Sequence, residues 1–546
     1  PVFWDDALQA LDARGPHALP ALQRKALVQQ RPTSAFDDTD EQAFQHHLLH
    51  QVSYDTVLKP HKRAAHARAA AWLTQRAGDR SDEYLAITGE HHARAGEHVQ
   101  AASWFERASE SVVLRHAYKT SLHYLNLAEA QLALAAEPAP PKLRYKLLAR
   151  RSRVYDNLGM RDEQAKALEH ELAWCEAQDE PPWVALALCG QSLLAYRTGR
   201  LELAEAAARR GAELAERIDA ARPAALCRGN LAWMAIERRE LDVARRELAS
   251  ASHWAVLARE RMLSSDDGVY EPQMLLIESE LHSVTNNHTA QDGVLSRALE
   301  AAVRLQAPRL ECQCRDSMAE WALLCADLPA AAIHIDEMGR RAAEFGLAYQ
   351  ATAASWLRAR LQLQAQQWDA AEREAQASGD SFSTMKDTVS ALECRAVQAE
   401  ALWRDGRADA AVALWQDTAA ALLARADETG ARAVRLRLAD ATAASGRAGD
   451  GDAGLQAVLA ELPFLNAVDA LDTADFGLAA RLAAWRVLHR ARHPAAAGQL
   501  ALASAELEQR LNGFSDPVVR DRVRNTIPWH RDVVEALAER RATGDR

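Results

Sequence analysis

The sequence feature that most constrains the fold of this chain is a repeat of about forty residues. A short polar turn follows a helical segment, and an alanine lies five residues after the turn opens. The turns open at Gly199, Arg239, Asp327, Gln366 and Gly406, and the alanines are Ala204, Ala244, Ala332, Ala371 and Ala411. A close helix crossing selects small residues, because a large side chain holds the two axes apart. The repeat therefore predicts stacked helical hairpins, since one hairpin cannot bury its apolar face alone.

The repeat also places small residues in pairs on one helix face. A second small residue follows seven positions later at Ala108, Gly211, Ala251 and Gly339. Seven residues are two helical turns, so both members of each pair share a face. The segments Leu194–Ala204 and Ala399–Ala411 resemble the tetratricopeptide repeat. Because the period exceeds the roughly 34 residues of that repeat, we expect each helix to carry about one extra turn.

The composition agrees with an all-α chain. The 546 residues are rich in good helix formers, and 24 Gly and 18 Pro are too few for an all-β protein of this length. We therefore predict an all-α, right-handed α-solenoid of tetratricopeptide-like hairpins with a small N-terminal winged-helix-like segment. The expected domains are a winged-helix-like segment with a connecting helix at 1–80, the solenoid at 81–510 and C-terminal capping helices at 511–546.

Charge and hydropathy narrow the function classes. The net charge of −11 is spread along the chain, which argues against a nucleic-acid surface. The chain has no apolar run of the roughly 18 residues that a membrane helix needs, and it opens with no signal segment, so we expect a cytoplasmic protein without a membrane partner. The seven cysteines are scattered, and Cys312 and Cys314 point apart on a helix. They indicate small buried side chains rather than disulfides or a metal site.

The N-terminal segment has the layout of a winged-helix domain. Helices are predicted at Phe3–Leu11 and Ala18–Gln30, a β-hairpin at Arg31–Phe44, and a further helix after it. Such a domain can bind DNA, but the candidate recognition helix offers only Arg24 and Lys25 as basic residues. Because so few basic residues are available to contact DNA phosphates, a packing role is favoured over DNA binding.

Several segments resemble one family of bacterial signalling proteins. They are Phe3–Ala7, Ser34–Phe36, Phe44–Leu58, His66–Leu73, Glu90–Glu97 and Asp516–His530. They are similar to the region after the ATPase core in adenylate/guanylate cyclase-type proteins with a STAND (signal transduction ATPase with numerous domains) module and a C-terminal tetratricopeptide-like region. The resemblance implies that the chain is the C-terminal part of a larger ATPase, or a protein that has lost that core, and that the ATPase core is one partner.

Catalytic motifs are missing from the sequence. No Gly-x-x-x-x-Gly-Lys-Ser/Thr phosphate loop occurs, and no segment supplies a cyclase domain. We therefore expect no enzyme activity and no cofactor in this chain, with ATP or ADP bound in the parent protein. The alternatives are an enzyme acting on ATP, as an ATPase or nucleotide cyclase, and a DNA-binding transcriptional regulator.

His46 is the one candidate for a nucleotide contact. The resemblance implies that a histidine ahead of Leu48 and Leu49 contacts the phosphates of ADP, but the acidic neighbour usual in the family is replaced by His47. The alternative is that His46 caps or packs the start of a helix. His46, His47 and His50 share helix faces in pairs, but zinc needs three or four ligands, so no metal is predicted.

A protein or peptide ligand is the expected partner of the solenoid. In peptide-binding tetratricopeptide arrays, the first helices of the hairpins form the concave face and an Asn clamps the ligand backbone, which is the position of Asn230. Trp233 either fills the core between repeats, as aromatic residues usually do, or lines the groove. The predicted partner-binding residues are Tyr196, Arg197, Asn230, Trp233, Glu237, Arg360 and Arg404.

Overall fold

The computed structural model describes residues 2–36, 38–76, 81–114, 117–261, 270–444, 449–471 and 476–543. The chain divides into two compact units, Pro1–Tyr155 and Asp156–Arg546. Consecutive helices pack as antiparallel neighbours through most of both units. The predicted fold class, an all-α stack of tetratricopeptide-like hairpins, is confirmed. The predicted domain boundaries at 80 and 510 stay a prediction.

The first unit opens with a small mixed segment. Its elements are β1 (Val2–Trp4), α1 (Asp5–Leu11), α2 (Gly15–Arg24), β2 (Val28–Gln30), β3 (Glu41–Phe44) and α3 (His47–Thr56). The strands form an antiparallel sheet in the order β1-β3-β2, with Val2 opposite Ala43 and Val28 opposite Phe44. The order of helix, helix, hairpin and helix is the predicted one. The winged-helix assignment itself stays a prediction.

Two predicted helix boundaries in this segment are wrong. Phe3 and Trp4 lie in β1, because their aromatic rings pack against the sheet and its neighbours. The ring centres of Phe3 and Phe44 are 5.7 Å apart, and those of Trp4 and Phe36 are 5.0 Å apart. The second helix ends at Arg24 instead of Gln30, because Ala26 adopts a left-handed backbone conformation and the chain then enters β2.

The rest of the first unit is helical. Its helices are α4 (Lys59–Arg76), α5 (Ser81–Ala95), α6 (His98–Leu114), α7 (Tyr118–Leu134) and most of α8 (Pro141–Leu158). Helices α4 to α7 pack in sequence order, each against the next. Ala101 and Ala108 of α6 are buried, as expected for small residues at helix crossings.

The second unit begins with a regular series of helices. They are α9 (Arg161–Ala177), α10 (Pro181–Arg197), α11 (Leu201–Arg217), α12 (Ala221–Glu237), α13 (Leu241–Arg261), α14 (Tyr270–Val284), α15 (His288–Arg304), α16 (Pro308–Leu324), α17 (Leu328–Glu344), α18 (Ala348–Gln364), α19 (Trp368–Thr384), α20 (Thr388–Arg404), α21 (Ala408–Ala424) and α22 (Glu428–Ala444). Except for α13 and α14, each has 17 residues. The extra helical turn expected from the long period is thus present.

Except between α13 and α14, three-residue links with a left-handed middle residue join these helices. The middle residues with positive φ are Asp179, Gly199, Asp219, Arg239, Asn286, Gln306, Ala326, Gly346, Gln366, Lys386, Gly406 and Ala426. The links from Gly199 to Ala426 close their helices with the same pair of hydrogen bonds. At Gly199, for example, the N–H of Arg200 donates to the carbonyl of Ala195 over 2.8 Å, and the N–H of Gly199 donates to Tyr196. This Schellman arrangement satisfies carbonyls that would otherwise end the helix without partners.

The register of one predicted repeat is wrong by one residue. Ala331 is fully buried at the crossing of α17, whereas Ala332 is partly exposed. Likewise Met338 is buried seven positions later, whereas Gly339 is partly exposed. The link turns at Ala326, and the polar Asp327 instead caps α17 by accepting from the N–H of Ala330 over 3.2 Å. The other predicted crossing alanines, Ala204, Ala244, Ala371 and Ala411, are fully buried.

The even-numbered helices form one layer of the second unit. Direct contacts join α10 to α12, α12 to α14, α14 to α16, α16 to α18 and α18 to α20, in addition to the contacts within each hairpin. These are the first helices of the predicted hairpins. We call the surface formed by the even-numbered helices α10 to α22 the even-helix face.

The C-terminal helices fold back onto the repeats. They are α23 (Asp450–Glu461), α24 (Gly477–Arg490), α25 (Ala496–Asn512), α26 (Pro517–Thr526) and α27 (Pro528–Thr543). Arg522 of α26 donates to the carbonyl of Cys325 over 2.8 Å, and Asp532 of α27 lies 2.8 Å from Arg404 of α20. In the described ranges, no helix combines the length and the apolar composition needed to cross a bilayer.

The links predict opposite effects of adding and removing a Cβ atom. Gly406→Ala should lower the free energy of unfolding by about 1 kcal/mol, because its φ of +80° disfavours a side chain. Ala426→Gly, at φ +61°, should raise it by up to about 1 kcal/mol. Gly293→Ala, inside α15 with open space at its Cβ, serves as the control and should be stabilising. Urea titration measures all three, and a stabilising Gly406→Ala would contradict the link geometry.

Candidate functional site

Three of the predicted partner-binding residues form one hydrogen-bonded group. The indole N–H of Trp233 donates to the Tyr196 hydroxyl over 2.9 Å, and this hydroxyl donates to the Glu237 carboxylate. Burial raises the pKa of Glu237, and burial together with the Glu237 charge raises the pKa of Tyr196 well above its usual value. Tyr196 is therefore protonated at neutral pH. The group joins the ends of α10 and α12 on the even-helix face.

Arg197 is held by a buried carboxylate. Asp156, at the end of α8, accepts from Arg197 and Arg161 over 2.6 Å each and from Arg309 over 2.7 Å. The three guanidinium groups hold the pKa of Asp156 well below its usual range despite its burial. Arg197 therefore contributes to the packing of the unit, and its role in partner binding stays a prediction.

Helix ends that are far apart in the sequence meet at Asp156. Arg309 begins α16, and the Arg197 guanidinium lies 5.4 Å from the ring centre of Tyr349 in α18. The Tyr349 hydroxyl donates to Asp387 over 3.1 Å, and Asp387 also caps α20. We call Asp156, Arg161, Arg197, Arg309, Tyr349 and Asp387 the Asp156 cluster. Within the second unit, it fixes the C-terminal end of α10 against the N-terminal ends of α16, α18 and α20.

The other predicted partner-binding residues already contact neighbouring helices. Asn230 donates to the carbonyl of Cys189 over 3.4 Å, so its side chain links α12 to α10. Arg360 donates to Glu320 over 2.6 Å and lies 4.9 Å from the Trp356 ring. Arg404 donates to Glu400 over 2.8 Å, besides its contact with α27. A role of these residues in partner binding stays a prediction.

The sequence analysis did not identify a cluster of three acidic residues on the same face. Glu280, Asp316 and Glu320 come from α14 and α16, and we call them the acidic strip. Burial raises the pKa of Glu280 to about 7 and that of Asp316 to about 8, with the charge of Glu320 adding to both shifts. One oxygen of Asp316 is buried without a hydrogen-bond partner. The sequence did contain a signal for charged residues on this face. Glu280, Glu320, Arg360 and Glu400 follow one another at intervals of forty residues, which is the length of the repeat.

A pocket of about 160 Å³ opens between α20 and α22. Its apolar wall includes Leu392, Trp415, Leu422, Val434 and Phe476, and its charged lining consists of Glu393, Glu400, Arg425, Asp427 and Arg437. Glu400 and Arg437 are both almost fully buried and form an ion pair. We call this cavity the α20–α22 pocket.

The α20–α22 pocket lies beside the group formed by Tyr196, Trp233 and Glu237. Gly199 lies in the link after α10. A Cβ atom added to Gly199 would lie 3.5 Å from the guanidinium group of Arg425. The charge of Arg425 also lowers the pKa of Glu237, although burial dominates and raises it. The predicted residues at the ends of α10 and α12 and the pocket thus belong to one continuous surface.

His46 lies at the start of α3 in the first unit. It occupies the N-cap position, but its side chain makes no capping hydrogen bond and is exposed. The exposed side chain is available to a ligand, and the proposed ADP contact stays a prediction. Next to it, Leu48 and Val52 are also exposed, at 74% and 62%.

The other histidines of this unit form internal contacts. Nδ1 of His66 lies 2.8 Å from Nδ1 of His91, and the Tyr54 hydroxyl lies 2.8 Å from Nε2 of His66. Burial lowers the pKa of His91 to about 4. His92 diverges from His91 and contacts Glu97. Among the described residues, no three His, Cys, Asp or Glu side chains are grouped to hold a metal ion.

No known protein family matches this sequence, and no curated protein is significantly similar to it. Similar solved structures include a STAND protein with a tetratricopeptide repeat sensor from Pyrococcus horikoshii, at 14% identity and a TM-score of 0.41, over 84% of this chain and 60% of that chain. This chain thus spans about 60% of the length of that protein.

Two further solved structures are similar. One is a Rap protein complexed with Competence and Sporulation Factor, at 11% identity and a TM-score of 0.41, over 76% of this chain and 100% of that one. The other is the APC/C hetero-tetramer Cut9-Hcn1, at 14% identity and a TM-score of 0.31, over 96% of both chains.

The raised pKa of Asp316 predicts a stability that depends on pH. The pKa is about 8 in the folded chain and roughly 3.9 when unfolded, so the folded state binds more protons between these values. The stabilisation by Asp316 is therefore complete below about pH 4, falls steadily as the pH rises between the two pKa values, and is lost above about pH 8. Glu320 and Arg360 are the charged groups that act on it.

Replacing Asp316 by Asn should remove this effect. The difference in the midpoint of thermal unfolding between Asp316→Asn and the wild type should shift in favour of Asp316→Asn by about 2 °C or more between pH 5 and pH 9. Asp336→Asn, whose carboxylate on α17 is 72% exposed, is the matched control. A difference between Asp316→Asn and wild type that is the same at both pH values would contradict the prediction.

Proposed function

We propose that this chain is a regulatory, non-enzymatic sensor region of a STAND-type signalling ATPase and binds a protein or peptide partner along its even-helix face. The observation that carries the proposal is the continuity of this face. The group of Tyr196, Trp233 and Glu237, the acidic strip and the α20–α22 pocket all lie on helices that contact one another in one layer. A ligand that reaches all three must extend across several helices.

The size of the pocket favours a polymer over a metabolite. Small-molecule sites are mostly apolar cavities of about 300 to 1,000 Å³ that enclose their ligand. The α20–α22 pocket, at about 160 Å³, is smaller and carries five charged residues. A cavity of about 150 Å³ holds a molecule of the size of benzene. The pocket therefore suits one side chain of a larger partner.

The proposed link to an ATPase rests on the resemblance of the first unit and on the surface of α3. Leu48, Val52 and Leu58 are 74%, 62% and 66% exposed, close to His46 in the sequence. Exposed apolar side chains of this size in a cluster are typical of interaction sites. We propose that the ATPase core of a parent protein packs here, in the cytoplasm, with His46 contacting its bound ADP.

A selection from a random peptide library tests the main proposal. The full chain is immobilised, bound peptides are sequenced, and individual peptides are then titrated in solution. We expect enriched peptides that bind the wild type and lose at least tenfold in affinity with Trp233→Ala, which removes an aromatic anchor. Trp183→Ala, at the start of α10, is the matched control and should keep the affinity. Failure to enrich any peptide that binds in solution would contradict the proposal.

A further inference from the structure

Repeats that are far apart in the sequence contact each other within the second unit. In a solenoid, each repeat normally contacts only its neighbours. Here Arg309 of α16 donates to Asp156 over 2.7 Å and to Asn157 over 3.1 Å, and Lys386, in the link before α20, donates to Asp162 of α9. We call this contact the Asp156 interface. Its first side consists of residues 156–162 and Arg197, and its second side of Arg309, Tyr349 and residues 385–387.

The Asp156 interface closes the even-helix face between α10 and α18. The Arg197 guanidinium of α10 lies 5.4 Å from the ring centre of Tyr349 in α18. Burial raises the pKa of Tyr196, and the charges of Glu237 and of Glu393 in α20 raise it further, so α20 also faces the end of α10. An extended peptide needs about 10 Å between two protein surfaces, the spacing of packed β-sheets. Such a peptide cannot pass between α10 and α18 while this interface is formed.

The first side of the interface neutralises its own buried charge. Asp156 accepts from Arg161 and Arg197 over 2.6 Å each, and both arginines belong to the same side as Asp156. A buried charge that lost all its partners would hold an interface closed, because its desolvation would no longer be compensated. Asp156 keeps two guanidinium partners when Arg309 moves away.

The second side is satisfied in the same way. Asp387 accepts from the N–H and from the hydroxyl of Ser390 over 3.1 Å each, and from the Tyr349 hydroxyl over 3.1 Å. All three residues belong to α18, α20 and the link before α20. The Arg309 side chain is 27% exposed, so water can solvate its guanidinium after separation. The two sides can therefore separate without leaving Asp156 or Asp387 unpaired.

Polar contacts hold this interface, whereas apolar contacts hold the hairpins. Ala195, Ala204 and Leu231 of α10, α11 and α12 belong to one buried apolar cluster. Across the interface, Asp162 and Lys386 form an ion pair whose side chains are 56% and 58% exposed. Exposed ion pairs contribute little to stability, whereas buried apolar area contributes in proportion to its size. The interface can therefore open while the hairpins stay folded.

We propose that the Asp156 interface is a releasable closure of the even-helix face, which opens to admit the protein or peptide partner. A partner that binds only the open form shifts the population toward it. This inference rests on the proposed function, because it names the regulation of the same face.

An engineered disulfide can lock the interface closed. A Cβ atom on Gly159 would lie 3.9 Å from Cβ of Met385, and disulfides need about 3.5 to 4.5 Å between their Cβ atoms. Gly159 has a φ of +70°, but the equivalent link positions at Asp179 and Lys386 carry side chains at positive φ. Gly159→Cys combined with Met385→Cys should therefore form a bridge between the two sides when treated with oxidised glutathione.

The locked chain tests the closure directly. Peptide mapping verifies the bridge, and fluorescence anisotropy measures how fast a peptide from the library selection associates with the full chain. The association rate constant should fall at least tenfold on oxidation and recover on reduction. The control is Gly159→Ser combined with Met385→Ser, which should bind equally fast under both conditions. Equal rates for the locked and reduced chains would overturn the inference.

Arg309→Gln weakens the interface instead of locking it. The variant removes a contact between the two sides, while Asp156 stays paired with Arg161 and Arg197. Association of the same peptide should become at least threefold faster, because the open form is more populated. Arg340→Gln is the matched control, since Arg340 contacts only Glu337 and Glu344 of its own helix among the ion pairs of the described residues. An unchanged rate in Arg309→Gln would contradict the inference.

A measurement without peptide separates this inference from the proposed function. If library selection yields no peptide, the proposed function fails, and small-angle X-ray scattering then decides the closure. The reduced double-cysteine chain carrying Arg309→Gln should have a larger radius of gyration than the same chain after oxidation. Equal radii would overturn the closure. If peptides bind but the lock leaves their association unchanged, the proposed function stands and the closure is wrong.

Discussion

The left-handed link residue is the constraint on which the regular part of the structure depends. In this part, a residue with positive φ lies in the middle of the three-residue link that separates one 17-residue helix from the next. The starts of α9 to α13, and those of α15 to α22, therefore lie twenty residues apart. Because two helices then occupy forty residues, equivalent side chains of successive hairpins point to the same face. The even-helix face follows from this constant step.

Charges are distributed unevenly on this face, so its two ends differ in their electrostatic character. At the Asp156 cluster, three guanidinium groups surround one carboxylate and join distant helix ends. At the acidic strip, burial raises the pKa of Glu280 to about 7 and that of Asp316 to about 8, so Asp316 is largely protonated at neutral pH. Burial strengthens the attraction within the Asp156 cluster, since charges interact more strongly when they are removed from water. The Asp156 cluster uses its charges to hold helices together, whereas burial at the acidic strip favours the uncharged form of Glu280 and Asp316.

The sequence predicted the hairpins, their length and most of their crossing alanines, because small residues at a fixed spacing report directly on helix packing. It missed the links at Asp179, Asp219, Lys386 and Ala426, since no single residue type marks a left-handed position. The polar Asp327 was mistaken for a link residue, which displaced one repeat by one position. Arg197 was predicted from its place on a first helix, but its partner Asp156 lies forty-one residues away. Such ion pairs, and the burial that shifts the pKa of Asp316, depend on tertiary packing that a local pattern does not contain.

The central claim is that the even-helix face binds the partner. Hydrogen exchange of the full chain, measured with and without a saturating peptide from the library selection, tests it most directly. The account predicts slower exchange at the C-terminal ends of α10 and α12 and in α14, α16, α20 and α22, with little change in α11, α13, α17 and α19. Protection confined to those odd-numbered helices, or to α3 of the first unit, would contradict it.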